Sequence, residues 1–237
     1  MPRKYLIMSV FILLSVIITS YATAASKKQQ EEAVYTANFN YAQDSQAAPG
    51  SCGVTFAVES VNYQSNSGTI WLTWPQFANL DAAMKQDLTK IFTAKGITLR
   101  GPFDSYDLMP YQDKKASDLY AVPTLELTVF WQEGPDPFTV SGKFTLVLKE
   151  IMTGEAVWSK TIPLISFRLQ KIGSYQQTGK DDRLIKDLLE TGNRNDVAKG
   201  IEKQYPGLMA TISKLIDPEE MGIIKKQAQE LKSKKGY

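Results

Sequence analysis

The chain has 237 residues, with 27 basic and 25 acidic side chains, one cysteine and no histidine. Without histidine it has neither the Ser-His-Asp triad nor the Cys-His pair of the common hydrolases, and it has no side chain that ordinarily titrates near neutral pH. One cysteine makes neither a four-cysteine zinc site nor an internal disulfide.

The first residues have the pattern of a secretory signal peptide. Arg3 and Lys4 precede an apolar run over residues 6–18, and small residues follow at 22–24. A membrane-spanning helix needs roughly 20 apolar residues, so we expect residues 1–24 to be removed by cleavage after Ala24. A retained membrane anchor is the alternative. No cysteine stands at the end of the run, so we expect no lipid anchor.

The charge balance argues against nucleic acid as a partner. Cleavage after Ala24 removes Arg3 and Lys4, which lowers the formal charge from +2 to 0. Phosphate binding normally requires concentrated basic charge. The basic residues cluster only near the C-terminus, at Lys225, Lys226, Lys232, Lys234 and Lys235. We interpret them as the solvated end of a terminal helix, where cations favour the helix dipole. Attraction to an acidic envelope surface is the alternative.

Residues 25–50 are predicted to be a flexible leader that could hold a first strand over residues 34–41. Residues 26–32 are polar and bury too little apolar surface to offset the entropy of ordering. Residues 51–237 are predicted to form a single α+β domain. Cys52 lies in a Pro- and Gly-containing turn, and we interpret it as a small turn residue. An interchain disulfide is the alternative.

The next segment alternates strands with one helix. Apolar residues with a period of two predict a strand over residues 54–61. Apolar residues three or four apart predict a helix that Gly96 ends: Leu80, Met84, Leu88, Ile91 and Phe92. We expect this helix to pack on a sheet. A short strand is predicted over residues 97–99, and we expect Gly101–Pro102 to break it.

Three antiparallel strands are predicted to follow as a meander. Leu125, Leu127 and Val129 alternate with polar residues in a strand over residues 119–131, and residues 134–137 predict a turn. A second strand is predicted around residues 144–148. A turn over residues 152–155 leads into a third strand over residues 156–162.

The C-terminal third has helical periodicity. A short helix is predicted around residues 184–189, and a longer one over residues 197–215 that Pro206–Gly207 kinks or interrupts. Asp217 is predicted to cap a last helix that Pro218 opens. The apolar seam of that helix consists of Met221, Ile224, Ala228 and Leu231. We expect the seam to pack on the protein's own sheet, with pairing to another helix as the alternative.

We predict no catalytic, cofactor-binding or metal-binding residue. The chain has no Gly-rich phosphate loop, and the adjacent carboxylates Asp181–Asp182 and Glu219–Glu220 are interpreted as favourable charges at helix starts. Several aromatic residues could form a platform for sugar rings: Trp71, Trp74, Tyr106, Tyr111, Phe130 and Trp131. Packing within the core or on the sheet is the preferred interpretation of these residues.

Several segments, in their order along the chain, resemble the neuraminyllactose-binding hemagglutinin family of bacterial envelope proteins. They are the helix and strand over residues 84–99, the strand entry at residues 114–122, the hairpin over residues 144–157 with its Met-Thr-Gly-Glu turn, residues 193–196, and the tail over residues 227–235. The likeness spans most of residues 34–235. It implies a two-layer α+β sandwich, with a mostly antiparallel sheet and helices on one face. It also implies export and association with the outer membrane, cell surface or flagellar sheath.

Two departures limit what the resemblance implies. Lipoproteins of that family anchor through a cysteine at the cleavage site, where this chain has Ala24-Ala25-Ser26. The sialic-acid-binding motif proposed for the family is a lysine-rich stretch after the central strand, and residues 132–138 contain no lysine. We therefore carry over no glycan-binding residue.

Two functional hypotheses remain. The preferred one is a non-enzymatic periplasmic subunit that docks onto other envelope proteins in an outer-membrane-associated assembly, such as a secretion or motility apparatus. The alternative is a surface adhesin that binds host glycans. An enzyme is less favoured, because its acid-base chemistry would depend on Asp, Glu, Lys or Tyr alone.

Overall fold

The computed structural model describes residues 47–65, 75–131, 138–169 and 194–236. Several predictions fall outside these residues: the signal peptide, most of the leader with its strand over residues 34–41, the turn over residues 134–137, the short helix around residues 184–189, Asp181–Asp182, Trp71 and Trp74. The side chain of Trp131 also lies outside the description.

The described residues form six strands and four α-helices. In chain order they are β1 (Thr55–Glu59), β2 (Asn62–Ser65), α1 (Leu80–Ala94), β3 (Thr98–Phe103), α2 (Tyr111–Lys115), β4 (Leu119–Trp131), β5 (Phe138–Glu150), β6 (Ala156–Arg168), α3 (Arg194–Leu215) and α4 (Pro218–Lys234), with a 3-10 turn at Pro75–Phe77 before α1. Within this described part of the chain, no helix is both long and apolar enough to cross a membrane.

The strands form one sheet in the order β3-β1-β4-β5-β6. β4, β5 and β6 are antiparallel neighbours, which confirms the predicted meander. β1 lies parallel to both β3 and β4, and β2 continues the pairing further along β4. The strand predicted over residues 54–61 is β1, and β2 follows it as a separate short strand that pairs with the same neighbour, β4.

The main core lies between one face of the sheet and three helices. Leu125, Leu127 and Val129 of β4 are buried there together with the apolar stripes of α1, α3 and α4. The seam of α4 packs on β5 and β6, as predicted, with Met221 and Ile224 buried. The expected fold class, an α+β sandwich, is confirmed, with the three long helices α1, α3 and α4 on one face of the sheet.

Capping residues fix the helix ends where the sequence predicts them. Gly96 follows α1 with a φ of +74°, a left-handed conformation that favours glycine. The side chain of Asp217 accepts a hydrogen bond from the backbone N–H of Glu219 at 2.9 Å, and Pro218 occupies the first turn of α4.

The expected break at Gly101–Pro102 is wrong, because β3 runs through both residues to Phe103. β3 pairs with β1 alone among the described strands, so it lies at an edge of the sheet. Proline is tolerated at a sheet edge because no neighbouring strand needs its missing N–H. The pairing with β1 shifts register at this point, where β3 has one more residue than the facing part of β1.

The sequence predicts a kink or an interruption at Pro206–Gly207. The helix is not interrupted, because α3 runs from Arg194 to Leu215 with Pro206 inside it. The kink stays a prediction. Proline removes one backbone hydrogen bond from a helix interior. The buried neighbours Tyr205, Leu208 and Met209 hold this part of α3 against the core. Their packing outweighs the local preference of proline.

Candidate docking site

Those proposed sugar-stacking aromatic residues that the structure describes are not brought together. The ring of Tyr106 packs edge-on against Tyr120, with 5.3 Å between the ring centroids. Tyr120 lies near the start of β4 and Phe130 near its end, roughly 33 Å apart at the usual rise per residue. The described members of the aromatic set therefore form no common platform.

The C-terminal lysines partly serve the fold. Lys225 forms an ion pair with Asp118 at 3.0 Å and also donates to the backbone oxygen of Gly53 at 2.7 Å. Lys235 forms an ion pair with Glu155. These two lysines fasten α4 to the rest of the domain.

The adjacent glutamates have structural positions, as predicted. Glu219 and Glu220 lie in the first turn of α4, where negative charge favours the helix dipole. Glu220 also accepts a hydrogen bond from the indole N–H of Trp158 at 2.9 Å. Over the described ranges, no group of three or more acidic or cysteine side chains is arranged to hold a metal ion.

Cys52 lies half-buried beside the start of α4. Its Sγ lies 3.5 Å from the backbone oxygen of Pro218, toward which the thiol donates. Burial raises the pKa of the Cys52 thiol above its ordinary value, so the protonated, unreactive form is favoured. This environment agrees with the interpretation of Cys52 as a turn residue.

A second, smaller core lies on the sheet face opposite the main helices. The segment between β3 and β4, residues 104–118, folds over this face and inserts Met109 beside Ala57, Tyr120 and Ile151. The hydroxyl of Tyr106 donates to the backbone oxygen of Ile151 at 2.7 Å. The segment is therefore fastened to the turn between β5 and β6.

Charged side chains also hold the same segment in place. Arg100 of β3 forms an ion pair with Asp113 at 3.0 Å, and the Lys114 ammonium lies 3.8 Å from the centroid of the Tyr106 ring. At the far end, Asp118 accepts a hydrogen bond from the backbone N–H of Thr55 at 2.8 Å. Residues 104–118 are thus held to β1, β3 and the β5–β6 turn.

The braced segment presents large apolar side chains to solvent. Leu108 is 70% exposed and Tyr111 is 66% exposed, and Pro110 between them is also exposed. We call these three residues the apolar tip. Asp104 and Asp107 are exposed on the same segment. Because the segment is already ordered, binding through the tip would lose little conformational entropy.

A groove opens between β6 and α3. Ile162, Leu164 and Phe167 line it from β6, while Lys203 and Leu208 line it from α3, and its volume is about 550 Å³. We call it the β6–α3 groove.

One side chain ties the two walls of the groove together. The amide of Gln204 accepts from the backbone N–H of Ile165 at 2.5 Å and donates to its oxygen at 2.8 Å. These bonds satisfy the backbone of Ile165 where the β5–β6 pairing is irregular.

The sequence indicates neither the tip nor the groove as a site. Tyr111 belongs to the proposed aromatic set, but Leu108 lies in a segment without helical or strand periodicity. The available signal was composition: leucine, methionine and tyrosine occur among aspartates and a proline. Such a segment contains large apolar side chains but no predicted helix or strand that would bury them.

Several solved structures are similar to this chain, and one of them shares its fold. A neuraminyllactose-binding hemagglutinin homologue from Helicobacter pylori superimposes with a TM-score of 0.56 at 14% identity, over 79% of this chain and 95% of that chain. A hypothetical protein from Chlamydia trachomatis has a TM-score of 0.33 at 10% identity, over 68% of this chain and 95% of its own. A protein from Xanthomonas campestris has a TM-score of 0.34 at 9% identity, over 78% of this chain and 90% of its own.

The sequence matches no protein-family model and no curated protein. The resemblance to the hemagglutinin family is therefore confirmed for the fold alone, through the Helicobacter pylori homologue.

Proposed function

We propose that this chain is an exported, non-enzymatic protein of the bacterial cell envelope. It works in the periplasm or at the outer membrane, where it docks onto a partner protein in a larger assembly such as a secretion or motility apparatus. The apolar tip is its docking surface.

The observation that carries this proposal is the exposure of Leu108 and Tyr111 on a braced segment. Binding through a loose loop costs conformational entropy because the loop must become ordered. A segment that is already ordered does not incur that cost. Tyrosine is also among the residues that contribute most to the binding energy of protein interfaces. The tip therefore suits recognition of another protein.

The sequence supports the proposed location. Residues 1–24 have the charge, apolar run and small residues of a secretory signal. No cysteine stands at the end of that run, so a protein that works at the outer membrane would be retained there by protein contacts rather than by an attached lipid. The tip supplies a surface for such contacts.

Glycan binding receives less support. The Helicobacter pylori structure with the same fold is a homologue of a neuraminyllactose-binding hemagglutinin, but Tyr106 and Phe130 lie far apart here, and residues 132–138 contain no lysine. A glycan array with the purified protein would detect this alternative. Binding to sialylated sugars would favour the adhesin hypothesis over docking.

The test is retention in the envelope. Leu108→Asp combined with Tyr111→Asp places charge on the tip, whereas Ile223→Asp places charge at a residue of α4 that is 58% exposed. We expect the unaltered protein and Ile223→Asp to co-purify with envelope proteins after detergent extraction, and the tip variant to be released by osmotic shock. Release of the unaltered protein without a bound partner would contradict the proposal, as would unchanged retention of the tip variant.

A further inference from the structure

We propose that the tip also recognises a second copy of this chain, by inserting into that copy's β6–α3 groove. This inference rests on the proposed docking role of the tip and names one partner for it. The evidence is the match between the two surfaces in polarity, size and charge.

The groove offers an apolar site of suitable size. Ile162, Leu164, Phe167 and Leu208 form its apolar lining, and its volume of about 550 Å³ lies within the range of roughly 300–1,000 Å³ typical of binding pockets. The exposed residue Ile165 stands beside it. Burial of Leu108 and Tyr111 in this groove would remove apolar surface of both copies from water.

The charges around the two surfaces are complementary. Asp104 and Asp107 are exposed beside the tip, whereas Lys203 is exposed in the wall of the groove. Lys160 is exposed on β6, two residues before Ile162 and on the same face of the strand. Opposite charges around an apolar contact favour the correct partner and orientation.

The positions of the two surfaces require contact between different copies. The tip segment is fastened at Ile151, next to the beginning of β6, on the sheet face opposite the main helices. The groove lies at the far end of β6, on the helix side. One copy therefore cannot fill its own groove. Because tip and groove are different surfaces, the contact is head-to-tail and can extend into a ring or a filament.

The test reverses one charge beside the tip or one charge in the groove of the purified protein. We expect the unaltered protein to self-associate with increasing concentration in analytical ultracentrifugation. Asp107→Lys alone and Lys203→Glu alone should each weaken association roughly tenfold or more, because like charges then meet in every contact. An equimolar mixture should recover association, because each altered tip can bind an altered groove and each unaltered tip an unaltered groove.

A matched control changes charge away from both surfaces. Lys226→Glu alters an exposed residue of α4 and should leave self-association unchanged. Circular dichroism shows whether each variant is folded. A monomeric unaltered protein at all concentrations would overturn the inference, and so would a mixture that fails to recover association.

The inference and the proposed function can fail separately. Lys203→Glu leaves the tip intact, so its retention in the envelope reports on docking to other proteins alone. A monomeric protein whose envelope retention still depends on the tip would overturn self-association and leave the proposed function standing. Self-association together with envelope retention that does not depend on the tip would contradict the proposed function and leave self-association standing.

Discussion

Glu150, the last residue of β5, is a buried carboxylate with a defined structural task. It is 1% exposed, and its Oε2 accepts hydrogen bonds from the backbone N–H groups of Met152 at 3.0 Å and Thr153 at 2.6 Å. Both donors lie in the turn that leads from β5 to β6. The carboxylate thus satisfies the backbone of a turn whose sequence alone predicts only that the chain reverses.

We expect Glu150→Ala to lower the free energy of unfolding by about 2 kcal/mol, because it removes a charged acceptor and leaves two backbone donors without it. Glu150→Gln keeps one acceptor oxygen and should lose less. Urea unfolding of both variants measures the difference. Equal stability of Glu150→Ala and the unaltered protein would show that the turn does not depend on this side chain.

Tyr120 should make the stability of the protein depend on alkaline pH. Burial raises the pKa of Tyr120 well above its usual value of about 10, and its hydrogen bond to the Glu59 carboxylate raises it further. Above about pH 10 the unfolded chain loses the phenolic proton of Tyr120, whereas the folded protein keeps it. The free energy of unfolding should therefore fall by about 1.4 kcal/mol per pH unit from this group, beginning near pH 10.

The comparison of Tyr120→Phe with Tyr111→Phe isolates this effect. Tyr120→Phe should be less stable at pH 8, because it loses the hydrogen bond to Glu59, but it should lack this part of the alkaline decline. Tyr111→Phe, which alters the exposed tip, should keep the decline. Urea unfolding from pH 8 to pH 11 provides the measurement. An unchanged decline in Tyr120→Phe would contradict the assignment.

At the level of elements, the sequence predicts best those strands and helices that have one covered face. Leu125 and Leu127 alternate with half-exposed residues because helices cover only one side of β4. The break at Gly101–Pro102 is a wrong prediction, and α3 is not interrupted at Pro206–Gly207, because local rules do not include the surrounding structure. A sheet edge tolerates Pro102, and buried neighbours hold α3 together at Pro206.

Two glycines in α3 should respond oppositely to the same substitution. A Cβ at Gly200 would lie 2.5 Å from ring atoms of Phe167, whereas a Cβ at Gly207 would have no atom within 4 Å. Gly200→Ala should lower the free energy of unfolding by roughly 1–3 kcal/mol, because α3 and β6 must separate. Gly207→Ala should raise it by roughly 0.5–1 kcal/mol, because alanine favours the helix.

Thermal or urea unfolding of the two variants checks this prediction. Each variant is the control for the other, since both place alanine in the same helix. A shift of both in the same direction would show that contact with Phe167 does not set the spacing between α3 and β6.

For the whole molecule, the fold class and the meander could be predicted from the sequence, but the parallel strand pairings, the apolar tip and the groove could not. The tip exists because Met109 and Tyr106 are held by Ile151, a residue more than forty positions away in the sequence. The two walls of the groove likewise come from β6 and α3, which are far apart in the sequence. Periodicity reports which face of an element is covered, and it carries no information about which loop is fastened to which turn.

The most direct test of the account is photo-crosslinking from the tip in living cells. A photoreactive amino acid replaces Leu108 in one strain and Ser159, an exposed residue of β6, in another. We predict that illumination links position 108 to envelope proteins or to a second copy of the chain, and that position 159 gives no such products. An absence of products at position 108, or the same products at both positions, would contradict docking through the tip.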